Sequence, residues 1–410
     1  MMRPEFLDVK DIMQDSDVLR LFEAVHDYGG AVRFVGGAVR DALAGLKGFD
    51  IDLATDLTPD ELVEACTEKG IKTVSLGLKF AKTGVVMGNR VFEVSSLHRA
   101  LPEGVKYSDF SFTDDWNADA ATRDLTINAV YADEDGNVFD YYNGIEDLEK
   151  GIVRFIGNAK QKIMEQPIRI MRFFRFYSIF SKTAPDLKSL KACVENKDLL
   201  KTVAIEQIRE EFFKILATSN AANVLEMMAE NDILSFVLPQ KINTRALKTL
   251  DTLVRFNHMD ADMMRRLFVL FEPDQVLAES LAVRLKLTKV QKNKMMNLAR
   301  FSFDSAQFND LAYIKRVVYA HDKAFVKDKI LIALAKQNVE DCNLKKLFAD
   351  IDDMEVPVFP LGGKDLIGLG MQDCVPVKEM MAGLKNIWIA SDFTLSKEGL
   401  EKEALKLINP

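Results

Sequence analysis

The chain has 410 residues, 48% hydrophobic and 28% charged, with a formal net charge of −8. That length exceeds one hydrophobic core and points to roughly two to four domains, while the acidic balance excludes a basic coat for indiscriminate nucleic-acid binding and leaves room for local basic patches. No apolar run is long enough to span a bilayer, and MMRPEFLDVKDIMQD lacks a basic region followed by an apolar core, so a cytoplasmic protein with no membrane role is expected.

Residues 1 to about 30 read as a helix. In the stretch from Arg33 to Asp56, Phe34 and Val35 end a first strand, Gly36 and Gly37 let the backbone turn, and Ala38 to Ala44 begin a helix whose free N–H groups face an anion such as a triphosphate. On the next strand a period of two puts Phe49, Ile51 and Leu53 on the core face and Asp50 and Asp52 together on the other. Adjacent carboxylates repel unless a cation sits between them. A hard ion such as Mg²⁺ takes oxygen ligands and bridges to substrate phosphates, which fits phosphoryl transfer better than proton chemistry. Either fragment alone reads as a tight turn or a solvated strand edge. Combined with Arg40, three residues beyond Gly37 and placed to meet phosphate oxygens, they read as one nucleotidyl-transfer site. Asp41 orients Arg40 or caps the helix.

Lys79 to Val86 and Val91 to Ser95 alternate around a Gly-Asn turn and predict a hairpin. Glu93 points with Val91 and Ser95, as a solvated strand residue or a third metal carboxylate. Residues 99 to 118 lack any period and predict a long loop. In the segment Ala121 to Val130, Arg123 can hold phosphate, Asp124 can accept from a ribose hydroxyl and Asn128 adds an amide; an Arg-Asp pair capping an element explains the first two equally well.

From about Ile145 the pattern is helical: Ala159 to Phe180, Ile205 to Leu216, Ala221 to Asn231, Asp260 to Phe271, Leu277 to Leu285 and Val290 to Phe301. Pro167 suits a first helical turn, after which Arg169, Arg172 and Arg175 form a stripe opposite Ile170, Phe173, Phe174 and Tyr177. With only Glu165 nearby in sequence, the stripe either faces solvent or waits for phosphates, and Gln166 with Arg169 can present donors and acceptors to the Watson–Crick edge of a base. The stretch carrying Arg284, Lys286, Lys289, Lys292, Lys294 and Arg300 has no acidic residue from Val283 to Phe301, which suits an RNA backbone or a solvated helix pair. Pro357, Pro360, Gly362 and Gly363 interrupt the pattern before the last short helices.

Cys66, Cys193, Cys342 and Cys374 lack metal-ligand spacing and read as reduced, structural thiols. His26, His98, His258 and His321 are too scattered for a multi-histidine metal site, so His26-Asp27 and His321-Asp322 read as surface pairs.

Gly36-Gly37-Ala38-Val39-Arg40-Asp41, Asp50-Ile51-Asp52, Arg123-Asp124-Leu125-Thr126-Ile127-Asn128-Ala129 and Glu165-Gln166-Pro167-Ile168-Arg169 stand in the order seen in the class II tRNA nucleotidyltransferase and poly(A) polymerase family, which the chain resembles. The helical remainder, with Ala204 to Leu216 and Phe359 to Gly370, looks like the bacterial CCA-adding members. The resemblance implies an α+β fold: a small N-terminal head (1–144) with a mixed sheet, then an elongated all-helical neck (145–220), body (221–302) and tRNA-binding tail (303–410). It implies Mg²⁺-dependent, template-free addition of CCA to a tRNA 3′ end from CTP and ATP; a protein partner is not implied. By position, Asp50 and Asp52 match the catalytic metal carboxylates, Gly37 and Arg40 the triphosphate contacts, and Arg123, Arg169, Arg172 and Arg175 the nucleotide-contacting arginines. Thr122 and Gln166 depart from the family's Arg-Arg-Asp and Glu-Asp-x-x-Arg, which bears on base selection because an amide both donates and accepts. The rivals are A-only, CC-only or poly(A) addition, and a non-catalytic RNA-binding protein that kept the fold.

Overall fold

A computed structural model describes residues 15–46, 51–76, 81–99, 111–238, 241–272, 274–340, 342–370 and 375–408, in two compact units, Met1–Pro239 and Gln240–Pro410. Asp50, Phe49, Lys79, Phe80 and Cys374 lie outside the described residues, as do 1–14 of the expected first helix and 100–110 of the expected loop.

The first unit begins with α1 (Ser16–Asp27), capped by Asp15, then β1 (Val32–Val35), α2 (Gly37–Leu43), β2 (Asp52–Thr55) and α3 (Pro59–Glu68). A Thr58–Glu61 capping box and Pro59 in the first turn fix where α3 starts. β3 (Lys72–Ser75), β4 (Lys82–Met87), β5 (Arg90–Ser96), α4 (Trp116–Ala120), a 3₁₀ turn (Thr126–Asn128), β6 (Val130–Ala132) and β7 (Val138–Asp140) complete the head. The seven strands lie in the order β3-β4-β5-β2-β1-β6-β7, with β2 and β5 parallel and every other neighbouring pair antiparallel. Strand alternation divides the core. Leu53, Phe34 and Val94 face α1 and α3, where they meet Leu21, Phe22 and Leu62. Ala54, Val35 and Tyr131 face the other way and pack with Ala120, Leu97 and Ile156. Asp52 shares this second face with Ala54, and the β2–β5 register sets it beside Glu93.

Two sequence expectations in the first unit need correction. The loop expected over 99–118 ends early, because Asp115 accepts from Asn117 N and Ala118 N and caps α4. The helix expected from Ala159 to Phe180 is two helices, α6 (Ala159–Glu165) and α7 (Arg169–Phe180), following α5 (Gly144–Lys150). Gln166 is extended at φ −144°, ψ 94°, as a residue before proline tends to be, so it lies outside α7.

α7 is buried almost all round, with Ile170, Phe173, Phe174, Phe176 and Phe180 in the core. After α8 (Leu187–Glu195), it packs on α9 (Ile205–Leu216) and α10 (Ala221–Glu230). Cys66 and Cys193 are buried, and burial pushes both thiols up, Cys66 to about 11, as befits structural cysteines.

The second unit is helical: α11 (Thr244–Phe256), α12 (Met263–Val269), α13 (Gln275–Arg284), α14 (Lys289–Arg300), α15 (Leu311–Ala320), α16 (Lys323–Lys336), α17 (Lys345–Asp353), α18 (Gly363–Gly368), α19 (Val375–Ala390) and α20 (Lys397–Ile408). α12 is shorter than the expected Asp260 to Phe271, since Asp262 accepts from Arg265 N and sets its start. Buried α16 packs on α11, α12 and α15, while Leu366, Leu384, Trp388 and Leu400 form a separate terminal core. No described helix is long and apolar enough to cross a membrane.

Candidate active site

Below the second face of the sheet the first unit opens into a cleft of about 790 Å³. Its head wall carries the Gly36-Gly37 turn, Asp52, Glu93, Arg123 and Asn128; α7 supplies Arg169, Arg172 and Arg175, and the segment before it supplies Gln166. The structure therefore gathers every described nucleotide-site residue expected from the sequence. Gly36 needs its freedom, with φ +62°. A Cβ on Gly37 would stand 3.5 Å from Asp52 Oδ2 and 3.7 Å from Arg40 Nη2, so the bare turn keeps the space over the carboxylate open.

Glu93 stands beside Asp52 and pairs with Lys82, which puts it on the cleft wall and not on an open strand edge. Among the described residues no group of three or more acidic, histidine or cysteine side chains forms a complete metal cluster. The oxygen donors at Asp52 and Glu93, under a turn without side chains, suit a hard divalent cation.

The arginines behave differently from the sequence expectation. Glu165 is not the sole acid near the stripe. Arg169 Nη1 donates to Glu165 at 2.7 Å, but Arg172 Nε donates to Asp124 at 2.6 Å and Arg175 Nη1 to Glu211 at 2.8 Å. Partners from distant segments are required because α7 is buried and an unpaired guanidinium there would be strongly unfavourable. Arg169 also donates to the carbonyls of Lys162 and Thr122, each at 3.0 Å, which ties α7 to the segment carrying Arg123.

Asp124 does not stand open to a ribose. It accepts from Leu125 N at 2.9 Å, Asn128 Nδ2 at 3.0 Å and Arg172 Nε at 2.6 Å, and is 5% exposed. Burial opposes its ionisation, but Arg172, Arg169 and Asn128 outweigh burial and hold its pKa well below the usual carboxylate range.

Of the two roles expected for Asp41, orientation is the one observed: it accepts from Arg40 Nε at 2.8 Å, while α2 has no side-chain cap. Arg40 Nη1 donates to Asn128 Oδ1 at 2.6 Å, and its guanidinium stacks 4.7 Å over the Phe176 ring, which Arg175 also covers at 4.1 Å. Burial lowers the pKa of Arg40 and brings Arg175 down to about 10, against their acid partners, so both remain cations at neutral pH.

Sequence reasoning missed two walls. Gln207, Glu210, Glu211 and Lys214 line the cleft from α9, and the spacing i, i+3, i+4, i+7 was the available signal. Asp119, which binds Arg123, was the other; it falls between the segment read as loop, 99 to 118, and the motif segment that starts at Ala121.

In the second unit acids from other elements engage part of the basic stretch. Lys294 sits between Asp262 at 2.7 Å and Asp328 at 2.8 Å, and Lys292 lies 3.3 Å from Glu279, so the absence of acids in the local sequence does not persist in space. Arg284, Lys286, Lys289 and Arg300 are exposed.

A strand carboxylate beside a glycine turn, facing a guanidinium-lined cleft under a mixed sheet, defines a nucleotidyltransferase. Residues 32–154 match the family described as the poly A polymerase head domain, and 184–242 the one described as a probable RNA and SrmB-binding site of polymerase A. The chain is 30% identical over 379 residues to the human mitochondrial CCA tRNA nucleotidyltransferase 1, covering 90% of this chain and 85% of that one. It is 30% identical over 224 residues to a CCA-adding enzyme of Ligilactobacillus salivarius, 53% of each chain. Its fold resembles the Bacillus stearothermophilus CCA-adding enzyme solved with CTP (TM-score 0.76, 21% identity, 95% and 96% of the two chains) and the Thermotoga maritima enzyme solved with tRNA (0.67, 19%, all of both). The chain belongs to the CCA tRNA nucleotidyltransferase family of metal-dependent nucleotidyltransferases.

Proposed function

We infer that this chain adds CCA to the 3′ end of tRNA from CTP and ATP, releasing pyrophosphate, with protein side chains in place of a nucleic-acid template. The observation that carries this reading is the placement of Asp52 beside the Gly36-Gly37 turn on a guanidinium-lined cleft, in a chain that matches a CCA tRNA nucleotidyltransferase over 90% of its length. A-only, CC-only and poly(A) addition are not favoured by relatives named as CCA enzymes, and a non-catalytic RNA-binding role is not favoured by an intact Asp52.

Mg²⁺ is the proposed metal; Asp50 and Asp52, with Glu93 alongside, would hold it, and it would supply activation of the tRNA 3′ hydroxyl and charge neutralisation at the α-phosphate and pyrophosphate. Gly36, Gly37 and Arg40 receive the triphosphate. Arg123, Arg172 and Arg175 face its remaining charge, each held by its own acid so that little reorganisation accompanies transfer. Asp124 and Asn128 act by fixing Arg172 and Arg40. Gln166 and Arg169 select the base, a neutral amide standing where the family has a carboxylate.

The division into head, neck, body and tail at 144, 220 and 302 remains part of this proposal, as does RNA contact by the exposed basic residues of α13 and α14. The deciding experiment supplies the pure protein with Mg²⁺, tRNA ending before CCA, after C or after CC, and CTP or ATP singly and together, and sequences the products. Stepwise C, C, A is expected. Addition of A alone to tRNA ending in CC, or of C alone, would replace the reading with the narrower activity.

A further inference from the structure

α4 is five residues long, yet it buries a carboxylate: Asp119 retains 1% of its exposure. A carboxylate that deep is tolerated only where donors converge. Oδ2 accepts from Arg123 Nε at 3.3 Å, from Arg123 Nη2 at 3.0 Å and from the Tyr131 hydroxyl at 2.7 Å, while Oδ1 accepts from His98 N at 3.3 Å. Arg123 Nε also donates to the Tyr131 hydroxyl at 3.0 Å. These bonds hold two of the three guanidinium nitrogens on the protein side. The third, Nη1, faces the cleft, because a Cβ on Gly36 would lie 3.8 Å from both Arg123 Nη1 and Asp52 Oδ2.

The carrier of Asp119 is itself fixed. The Trp116 ring meets Tyr131 edge-on at 5.4 Å, and the Arg33 guanidinium lies between Trp116 at 4.1 Å and Phe139 at 3.6 Å. α4 is thus pinned to the sheet at one end and clamps Arg123 at the other.

We propose that Asp119 is a positioning residue for nucleotidyl transfer, fixing Arg123 so that Nη1 meets the phosphate under attack at Asp52; this rests on the reading of Arg123 and Asp52 given above. Such a group acts on the transfer through Arg123. The preset donor needs no reorientation as charge develops, so its loss falls on kcat more than on tRNA binding.

The test measures kcat and KM for CTP and for tRNA ending before CCA in wild type, Asp119→Asn, Arg123→Ala and the double variant. Asp119→Asn is expected to lower kcat on the order of tenfold to a hundredfold, with KM for tRNA unchanged. The double variant should be no slower than Arg123→Ala. Multiplying losses, or wild-type kcat in Asp119→Asn, would overturn the proposal. Should Asp119→Asn not fold, Tyr131→Phe serves: its few-fold loss should vanish in the Arg123→Ala background, and persistence there would overturn the proposal. A wild-type protein that adds no nucleotide would instead overturn the functional reading on which the proposal stands.

Discussion

The guanidinium-lined cleft of the first unit and the polar centre of the second are built from the same chemistry and differ in what they open on. In both, buried or partly buried cations sit on acids and backbone carbonyls. Arg172 holds Asp124, and Lys162 donates to Ala121 O. Arg265 holds Asp328 at 2.7 Å, and Lys329 donates to Leu298 O at 3.1 Å and Phe301 O at 2.7 Å. The difference is what lies beyond each pair. Arg172 lines open space of about 790 Å³ beside a strand carboxylate, with Lys162 behind that wall; in the second unit the cations join α12, α14 and α16 and close the end of α14. A buried ion pair therefore says nothing about function until its open side is known.

The sharpest break between the two regions is Asp52→Ala. Nucleotide addition should fall below detection while the melting temperature and tRNA binding stay near wild type, because Asp52 is a half-buried strand residue and not part of the core. Wild-type turnover would remove the cleft from the chemistry.

Arg265→Met tests the other side. It leaves Asp328, 5% exposed, with Lys294 as its remaining cation, and should cost about 3 kcal/mol in urea unfolding while CTP affinity is unchanged.

The two buried lysines allow a matched comparison. Burial brings each to about 8 from 10.5, with Arg169 adding to the effect at Lys162 and Lys336 at Lys329. Between those values the unfolded chain binds more protons than the folded one, so stability should rise as pH goes from about 8 to about 10.5, and neither lysine adds a slope below that window. Lys162→Met and Lys329→Met should each flatten this rise in melting temperature. Slower nucleotide addition should accompany Lys162→Met alone, since that ammonium holds the backbone next to Thr122 and Arg123.

Charge reversal at Lys289 and Arg300 should raise KM for tRNA several-fold and flatten its salt dependence, with little change for CTP. Equal effects on both substrates would mean that this face supports the fold instead of touching RNA. The smallest effect is expected from Gln166→Asp: discrimination against UTP and GTP should improve roughly fivefold, about 1 kcal/mol, because a carboxylate accepts more strongly than an amide, and the order of addition should not change. Misincorporation rates check it.

The sequence alone determined the elements whose signals are local. The glycine turn, the alternation that puts Asp52 opposite Leu53, and α9 over Ile205–Leu216 follow from backbone freedom and periodicity, and the structure keeps them. The order of the four motifs was enough to indicate the family. Tertiary structure decided what those rules do not encode. Pairing β2 with β5 brought Glu93 to Asp52, and packing α7 on α9 and on the Asp124 segment gave each arginine an acid far away in sequence. Lys294 met Asp262 and Asp328 across helices, although its own stretch holds no acid. Charge pairing depends on distance in space, and burial raises the cost of leaving a charge alone. Which guanidinium nitrogen faces the cleft and which is held within the fold was therefore set by packing, as at Arg123, where Asp119 and Tyr131 leave one nitrogen toward the cleft.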